Sequence, residues 1–427
     1  MTLRILWVVN VPLPEASVLM NEKPSPFGGW LIHASQMLAA QDGIRLSVAF
    51  PGNNMSGYQK IEGQNINYYC FAPVKDSEKK RIENDGILTN IVREVSPDLV
   101  HIYGTEMAHS LSMVNVCVHE NIKTIISIQG LVSVIERHVF ADLPLRAIFG
   151  ATLRNLLKRD NVIGLKRLYA KRGKNEIEAI RNTEEVIGRT TWDKACVSQI
   201  NPNVRYHFCN ETLREEFYKH QWDINKCEEY SIFVSQSQNP IKGLHYVLEA
   251  MPLILAKFPD AKLYVAGKDI TKQDTLTDKL IITYYGRYIN QLIRKLKLED
   301  QVVFTGPLSE EKMCERYLKS NVFVSASSIE NSPNSLGEAM ILGVPCVASH
   351  VGGVPDMLKH GEEGFVYQAD APYMMAYYVC ELFEHRELAL SFSRKARQRA
   401  LRTHDPDGNA RQLVDIYKRM LDIENWD

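Results

Sequence analysis

The sequence predicts an α/β protein with two doubly wound, largely parallel sheets. Short β-rich runs alternate with helical patterns along the chain, and several runs are apolar at nearly every position, as strands covered on both faces must be. The alternation also occurs twice, in two series of similar size. With 427 residues, 45% hydrophobic and 24% charged, the chain can bury two cores of roughly 100 to 200 residues each.

The first series runs through "RILWVVNV", the helical "LIHASQMLAAQ", "RLSVAF", "INYYCFA", "SPDLVHIYG" and "KTIISIQG". A mostly helical insertion, about 131–182, interrupts it before "EEVIGRTTWD" and "NVRYHFCN" resume. The second series opens at "YSIFVSQS" and continues through the helix "GLHYVLEAMPLILAKF", strands "AKLYVAG" and "QVVFTG", the helix "EEKMCERYLKSN", and strands "VFVSAS" and "PCVAS". This divides the chain into an N-terminal domain over 1–203, a C-terminal domain over 204–405 and a closing helix over 406–427, with two sheets expected to face each other.

Fifty basic residues against fifty-one acidic ones give no global attraction to nucleic acid, so any basic site must be local. Eight dispersed cysteines without a C-x-x-C pair argue against a disulfide framework and for a reducing cytoplasm. The run "ILWVVNV" spans seven residues with no small-residue cleavage site after it, which reads as a buried strand rather than a secretion signal. No run approaches the roughly 18 apolar residues that span a bilayer.

Chemistry concentrates in "SIENSPNSLGEAMILG", where Glu330 and Glu338 flank a small polar loop that opens a helix. In doubly wound sheets ligands sit beyond the carboxyl ends of strands, beside the next helix's N-terminus. With a helix start near Asn334 or Ser335, the amides of Ser335, Leu336 and Gly337 would face the cleft, positioned to hold a diphosphate. The competing reading is an S-x-x-E capping box, with Glu338 returning to the Ser335 amide.

The neighbouring motifs carry a resemblance. E-x7-E followed by "GVPCVA", then "GGVPD" and G-x-x-G, with Lys242-Gly243 upstream, resembles the donor half of the family 4 retaining glycosyltransferases of the GT-B fold, from about Ser235 to Gly364. The resemblance implies that Glu330 binds donor-sugar hydroxyls and Glu338 the ribose, while Asn334, Ser335 and Leu336 with Lys242 hold the diphosphate. It also implies that Gly28 and Gly29 of "PFGGW" lie under the diphosphate; by itself that pair reads as a tight turn. Fixed amides and a cation suit the charge that develops on a leaving nucleotide, so neither cofactor nor metal is expected.

Two positions depart from the family pattern: Gln236 stands where an arginine partners the lysine, and Gln129 where a histidine is expected. A neutral amide supplies no charge and relays no proton, but it can donate hydrogen bonds, which keeps Gln236 as a candidate at the donor phosphates and Gln129 as a catalytic-site candidate toward the donor sugar. Arg287 and Lys268 are candidate replacements for the cation; Arg189 and His138 are candidates on the acceptor side, with Arg137 and His101 as further helpers. Between Arg146 and Lys174 nine basic residues accompany one acid, Asp160, with leucines at roughly helical spacing. That pattern suits either a helix lying on an anionic membrane or a solvated cover.

Together these readings describe a cytoplasmic glycosyltransferase in which 146–174 is either a peripheral contact on the inner membrane face or a solvated cover. It would move a sugar from a nucleotide-diphosphate donor to a glycan or lipid-linked hydroxyl in polysaccharide assembly, without nucleic acid. The alternatives are a nucleotide-sugar-binding protein without transferase activity and a GT-B sugar-nucleotide epimerase.

Overall fold

A computed structural model describes residues 2–24, 28–52, 55–74, 78–150, 152, 161–273, 275 and 282–423. The chain forms two compact units: Met1–Val134 with Ala170–Leu213 and His404–Asp427, and Ile135–Tyr169 with Arg214–Thr403. Sequence reasoning put the boundary at 203/204 and the whole insertion in the first domain. The structure moves both for identifiable reasons. Arg214 is drawn into the second unit by Glu338, and the start of the insertion is tied there by Tyr246 donating to Asp142 and by His245 against the Ala141 carbonyl, at 2.7 and 2.8 Å.

The first unit's sheet contains β1 (Leu3–Val8), β2 (Ile44–Pro51), β3 (Tyr58–Glu62), β4 (Asn67–Phe71), β5 (Leu99–Tyr103), β6 (Lys123–Ser127), β7 (Glu185–Gly188) and β8 (Arg205–Phe208). Their order is β3-β4-β2-β1-β5-β6-β7-β8. The pairs are parallel except the edge pair β3–β4, an antiparallel hairpin the sequence pattern did not announce. Along β1 the side chains alternate between two cores: Leu3, Ile5 and Trp7 enter one, Leu6 and Val8 the other. That two-sided burial is why the strand reads as continuously apolar. Each such side chain removed from water contributes roughly 1.5–3 kcal/mol.

The closing helix, Pro406–Met420, covers one face of this sheet and places Leu413, Ile416 and Tyr417 in the Trp7 core. Tyr417 accepts from Trp7 Nε1 at 3.0 Å and lies 2.5 Å from His101 Nδ1, while His101 Nε2 lies 2.7 Å from Ser127 Oγ. Burial lowers the His101 pKa to about 3. This buried, doubly bonded imidazole ties β5 to the closing helix and to β6.

The second unit's sheet is parallel throughout: β9 (Ser231–Val234), β10 (Lys262–Ala266), β11 (Val302–Gly306), β12 (Val322–Ser325), β13 (Cys346–Ser349) and β14 (Phe365–Tyr367), in the order β11-β10-β9-β12-β13-β14. In both sheets the chain winds outward from a central strand and returns to that strand's other side. The resulting switch points lie between β1 and β5 and between β9 and β12. Crevices beyond the carboxyl ends of such strands are where α/β sheets bind ligands.

Candidate functional site

Beyond the ends of β9 and β12 a pocket is lined by Ser235, Gln236, Lys242, Ser327, Glu330 and Ser335, among others. Lys242 arrives on the one-turn helix Pro240–Lys242, whose start is fixed by the Asn239 side chain accepting from the Ile241 amide at 3.2 Å. Gly243 follows with φ +71°, and a Cβ there would overlap the Ala326 carbonyl, so the turn sits directly on the end of β12. Lys242 Nζ lies 2.5 Å from Glu330 Oε1, and Ser327 Oγ donates to the same oxygen at 2.7 Å. The Gly353 amide donates to the Glu330 carbonyl at 3.1 Å. The downstream G-G motif therefore pins the loop that carries the first glutamate.

The helix Asn334–Leu342 starts after Pro333, which provides no side-chain cap. The amides of Leu336 and Gly337 both turn back to the Pro333 carbonyl, at 3.0 and 3.3 Å. Leu336 itself is fully buried. Of the three amide positions expected to face a ligand, Ser335 borders the pocket and the other two are used within the turn. Asn334 Oδ1 is buried without a hydrogen-bond partner among the described residues.

Glu338 settles the capping-box question. Both its oxygens are taken by Arg214, from Nε at 2.7 Å and Nη2 at 2.8 Å, so its carboxylate does not return to Ser335. Burial pushes the Glu338 carboxyl above its ordinary value while the Arg214 guanidinium pulls it back. Breaking such a buried bidentate pair would strand the remaining charge. Arg214 lies 124 residues from its partner with no local motif, so no sequence signal could have exposed it. Ser327, three residues before Glu330, was within reach of spacing arguments.

Residues 214–399 match the model for "Glycosyl transferases group 1". This part of the chain is a group 1 glycosyl transferase domain. N-acetyl-alpha-D-glucosaminyl L-malate synthase of Bacillus anthracis is 26% identical over 203 residues, 48% of this chain and 49% of that protein. The chain spans about half the length of the curated relatives it matches. Among solved structures, sucrose-phosphate synthase from Thermosynechococcus elongatus superposes with a TM-score of 0.69 at 14% identity, covering 98% of this chain and 99% of that one. Anabaena HepE, solved with UDP and glucose, gives 0.65 at 14% identity over 97% and 100%. Likeness at these identities establishes the GT-B fold.

In the group 1 domain Lys242 is the cation among the described residues lining the pocket; Arg287 and Lys268, offered by the sequence in place of the missing arginine, do not line it. Gln236 does. Glu381, Glu384 and His385 form a cluster of potential metal ligands outside the pocket lining, where Lys257 pairs with Glu384 at 3.1 Å.

His138, expected on the acceptor side, groups with this domain instead: its carbonyl accepts from Ser328 Oγ at 3.2 Å. Gln129 and Arg189 belong to the first unit. There Gln129 Nε2 donates to Glu211 Oε1 and Arg189 Nη1 to Glu211 Oε2, both at 2.6 Å. Gln129, expected to reach the donor sugar, has its amide nitrogen engaged by this unforeseen acid. Gly28, φ +80°, caps the helix Gly29–Ala39.

The basic insertion is only partly described: Leu153, Arg154, Leu156, Leu157, Lys158, Arg159 and Asp160 lie outside the described residues. Lys166 is paired with Glu136 at 3.2 Å. In the short helix Leu145–Phe149, Leu145 and Phe149 are 72% and 68% exposed. No helix among the described residues is long and apolar enough to cross a membrane.

Proposed function

We propose that the chain is a retaining glycosyltransferase, moving a sugar from a nucleoside-diphosphate sugar to a hydroxyl of a glycan or lipid-linked acceptor. The observation that carries this reading is the Lys242–Glu330 pair at the β9/β12 switch point, 2.5 Å apart and shared with Ser327, inside a group 1 domain. An ammonium held beside a carboxylate can exchange partners when a donor arrives. Lys242 then meets the diphosphate, and Glu330 is released to accept from sugar hydroxyls. As the anomeric carbon's bond to the diphosphate oxygen breaks, the charge left behind is met by Lys242, Gln236 and Ser335. The acceptor oxygen bonds to the anomeric carbon on the same face, and its proton passes to the departing phosphate. Glu338, oriented by Arg214, is assigned to the ribose, and Gly28 and Gly29 to the helix terminus below the diphosphate. No step requires a metal ion, and activity is expected to survive chelation by EDTA.

HepE was solved with UDP and glucose, which makes UDP-sugars the first donors to test. In a thermal-shift panel of UDP, GDP, ADP and their sugars, one nucleotide series should raise the melting temperature, since a ligand binding only the native state stabilises it. Release of that nucleotide in the presence of a glycan acceptor should follow. If no nucleotide shifts the transition, the reading is wrong.

One observation favours binding without transfer: the engagement of Gln129 by Glu211. Nucleotide stabilisation without turnover across glycan and lipid-linked acceptors would support that second reading. Exposed Leu145 and Phe149 flanking Arg146 support peripheral membrane contact. Equal pelleting of the protein with neutral and anionic vesicles would refute it.

A further inference from the structure

The first unit has its own switch-point pocket, between the ends of β1 and β5. Asn10, Pro51, Pro73, Val74, Met107, Ala108, His109 and Arg172 line about 200 Å³. Its polar wall is incompletely satisfied. Asn10 donates through Nδ2 to Glu106 Oε1, so its amide oxygen must face the other way, and Asn10 Oδ1 is buried without a partner among the described residues. His109 is only 4% exposed, stands edge-on to Phe71 with ring centroids 5.5 Å apart, and its Nε2 is also without a partner. Behind Asn10, Glu106 Oε2 is a third buried atom without one. Native interiors satisfy most such groups, and an orphan cluster on a ligand-binding crevice calls for an occupant.

The atoms restrict what that occupant can be. Asn10 Oδ1 is an acceptor and needs an O–H or N–H, which an ionised carboxylate or a fully ionised phosphate ester does not supply. A cation would face Arg172 and the uncapped start of the helix Ala108–Glu120, both unfavourable to positive charge. Burial lowers the His109 pKa to about 4, so its imidazole is neutral and takes either side of a hydroxyl hydrogen bond. Pro51, Pro73, Val74 and Met107 give an apolar wall suited to the C–H face of a ring. We propose that this pocket seats an uncharged, polyhydroxylated ring of the acceptor, held by Asn10 and His109, with Glu106 as a positioning residue acting through Asn10. The assignment of the ring to an acceptor rests on the glycosyltransferase reading; the ligand chemistry does not.

Saturation-transfer NMR on the full chain tests it. Methyl α-glucopyranoside, methyl α-galactopyranoside and myo-inositol serve as neutral probes, glucuronate and glycerol 3-phosphate as anionic ones, with UDP reporting on the other pocket. At least one neutral ring should receive saturation at millimolar concentration, with affinity falling about tenfold or more in Asn10→Ala and in His109→Phe, while the UDP signal is retained. Glu106→Ala should weaken the ring signal and Glu106→Gln should recover most of it, a pattern a merely structural role would not produce. The proposal is overturned if only the anions bind, if no neutral ring gives a signal, or if ring binding persists unchanged in both variants. Loss of the UDP response in the wild type with ring binding intact would sink the donor reading and leave this pocket standing.

Discussion

The two switch-point crevices solve the same topological problem with different hydrogen-bond balance. At β9/β12 the pocket is lined by a matched ion pair, Lys242 with Glu330, and the helix that follows carries a second matched pair, Glu338 with Arg214. At β1/β5 Asn10, Glu106 and His109 are neutral or weakly acidic and each holds a buried atom without a partner among the described residues, with the Arg172 guanidinium beside them. A paired charge waits for an ionic ligand that can exchange with its partner. An unpaired dipole waits for hydroxyls. The contrast teaches that one architecture can present two chemically distinct crevices, because the strand ends fix positions and the loops fix charge.

The strongest way to break the contrast is at Arg214. Arg214→Met should cost about 3–5 kcal/mol in denaturant unfolding by leaving Glu338 buried and uncompensated. The double variant Arg214→Met/Glu338→Leu should recover much of that loss. A single variant as stable as the wild type would mean that Glu338 is not held as an ion. Next in size, Lys242→Ala should lower transfer by roughly 100- to 1,000-fold with little change in the binding of neutral rings. A comparable loss of ring binding would show that the two pockets are not chemically separate.

Smaller effects sharpen the first-unit side. Gly104 has φ +87°, and a Cβ there would overlap the Glu106 carboxylate, so Gly104→Ala should destabilise by about 1–3 kcal/mol. It should also weaken ring binding through the displaced Glu106. Smallest is a pH effect. Burial pushes Glu106 from 4.5 up to about 7, with Glu176 adding to the rise and Arg172 opposing it. Between those values the folded chain keeps a proton that the unfolded chain releases. The stabilisation is therefore complete below about pH 4.5 and lost as pH rises through 7. Glu106→Gln should raise the melting temperature by a few degrees at pH 8, about 2–4 °C per kcal/mol for units of this size, and leave it nearly unchanged at pH 4.

The fold was legible because it is written locally. The alternation of Leu3, Ile5 and Trp7 against Leu6 and Val8 marks a doubly covered strand, and its recurrence marks a second sheet. Glu330 was legible for a related reason: its loop, the following helix and the G-G motif whose amide holds it lie within one stretch of chain. Arg214, Glu211 and the Asn10–Glu106–His109 group were not, since each acquires meaning from a partner brought in by the winding of a sheet. The amide positions of Leu336 and Gly337 were misjudged because whether a first-turn N–H faces a ligand or its own turn depends on the carbonyl before it, which residue identity does not report.

The α/β class and the two series were readable without coordinates because periodicity is local, whereas the loop between Glu330 and Glu338 and the positions of Gln129 and Gln236 drew notice through a family resemblance. The three-dimensional arrangement alone shows that His138 groups with the second unit, that Glu338 is locked by Arg214 and that a second pocket holds buried polar atoms without partners among the described residues. Hydrogen-bond satisfaction is a property of neighbours in space, and strands that pair across the sheet bring together residues separated by about a hundred positions, as β1 and β5 bring Asn10 to Glu106.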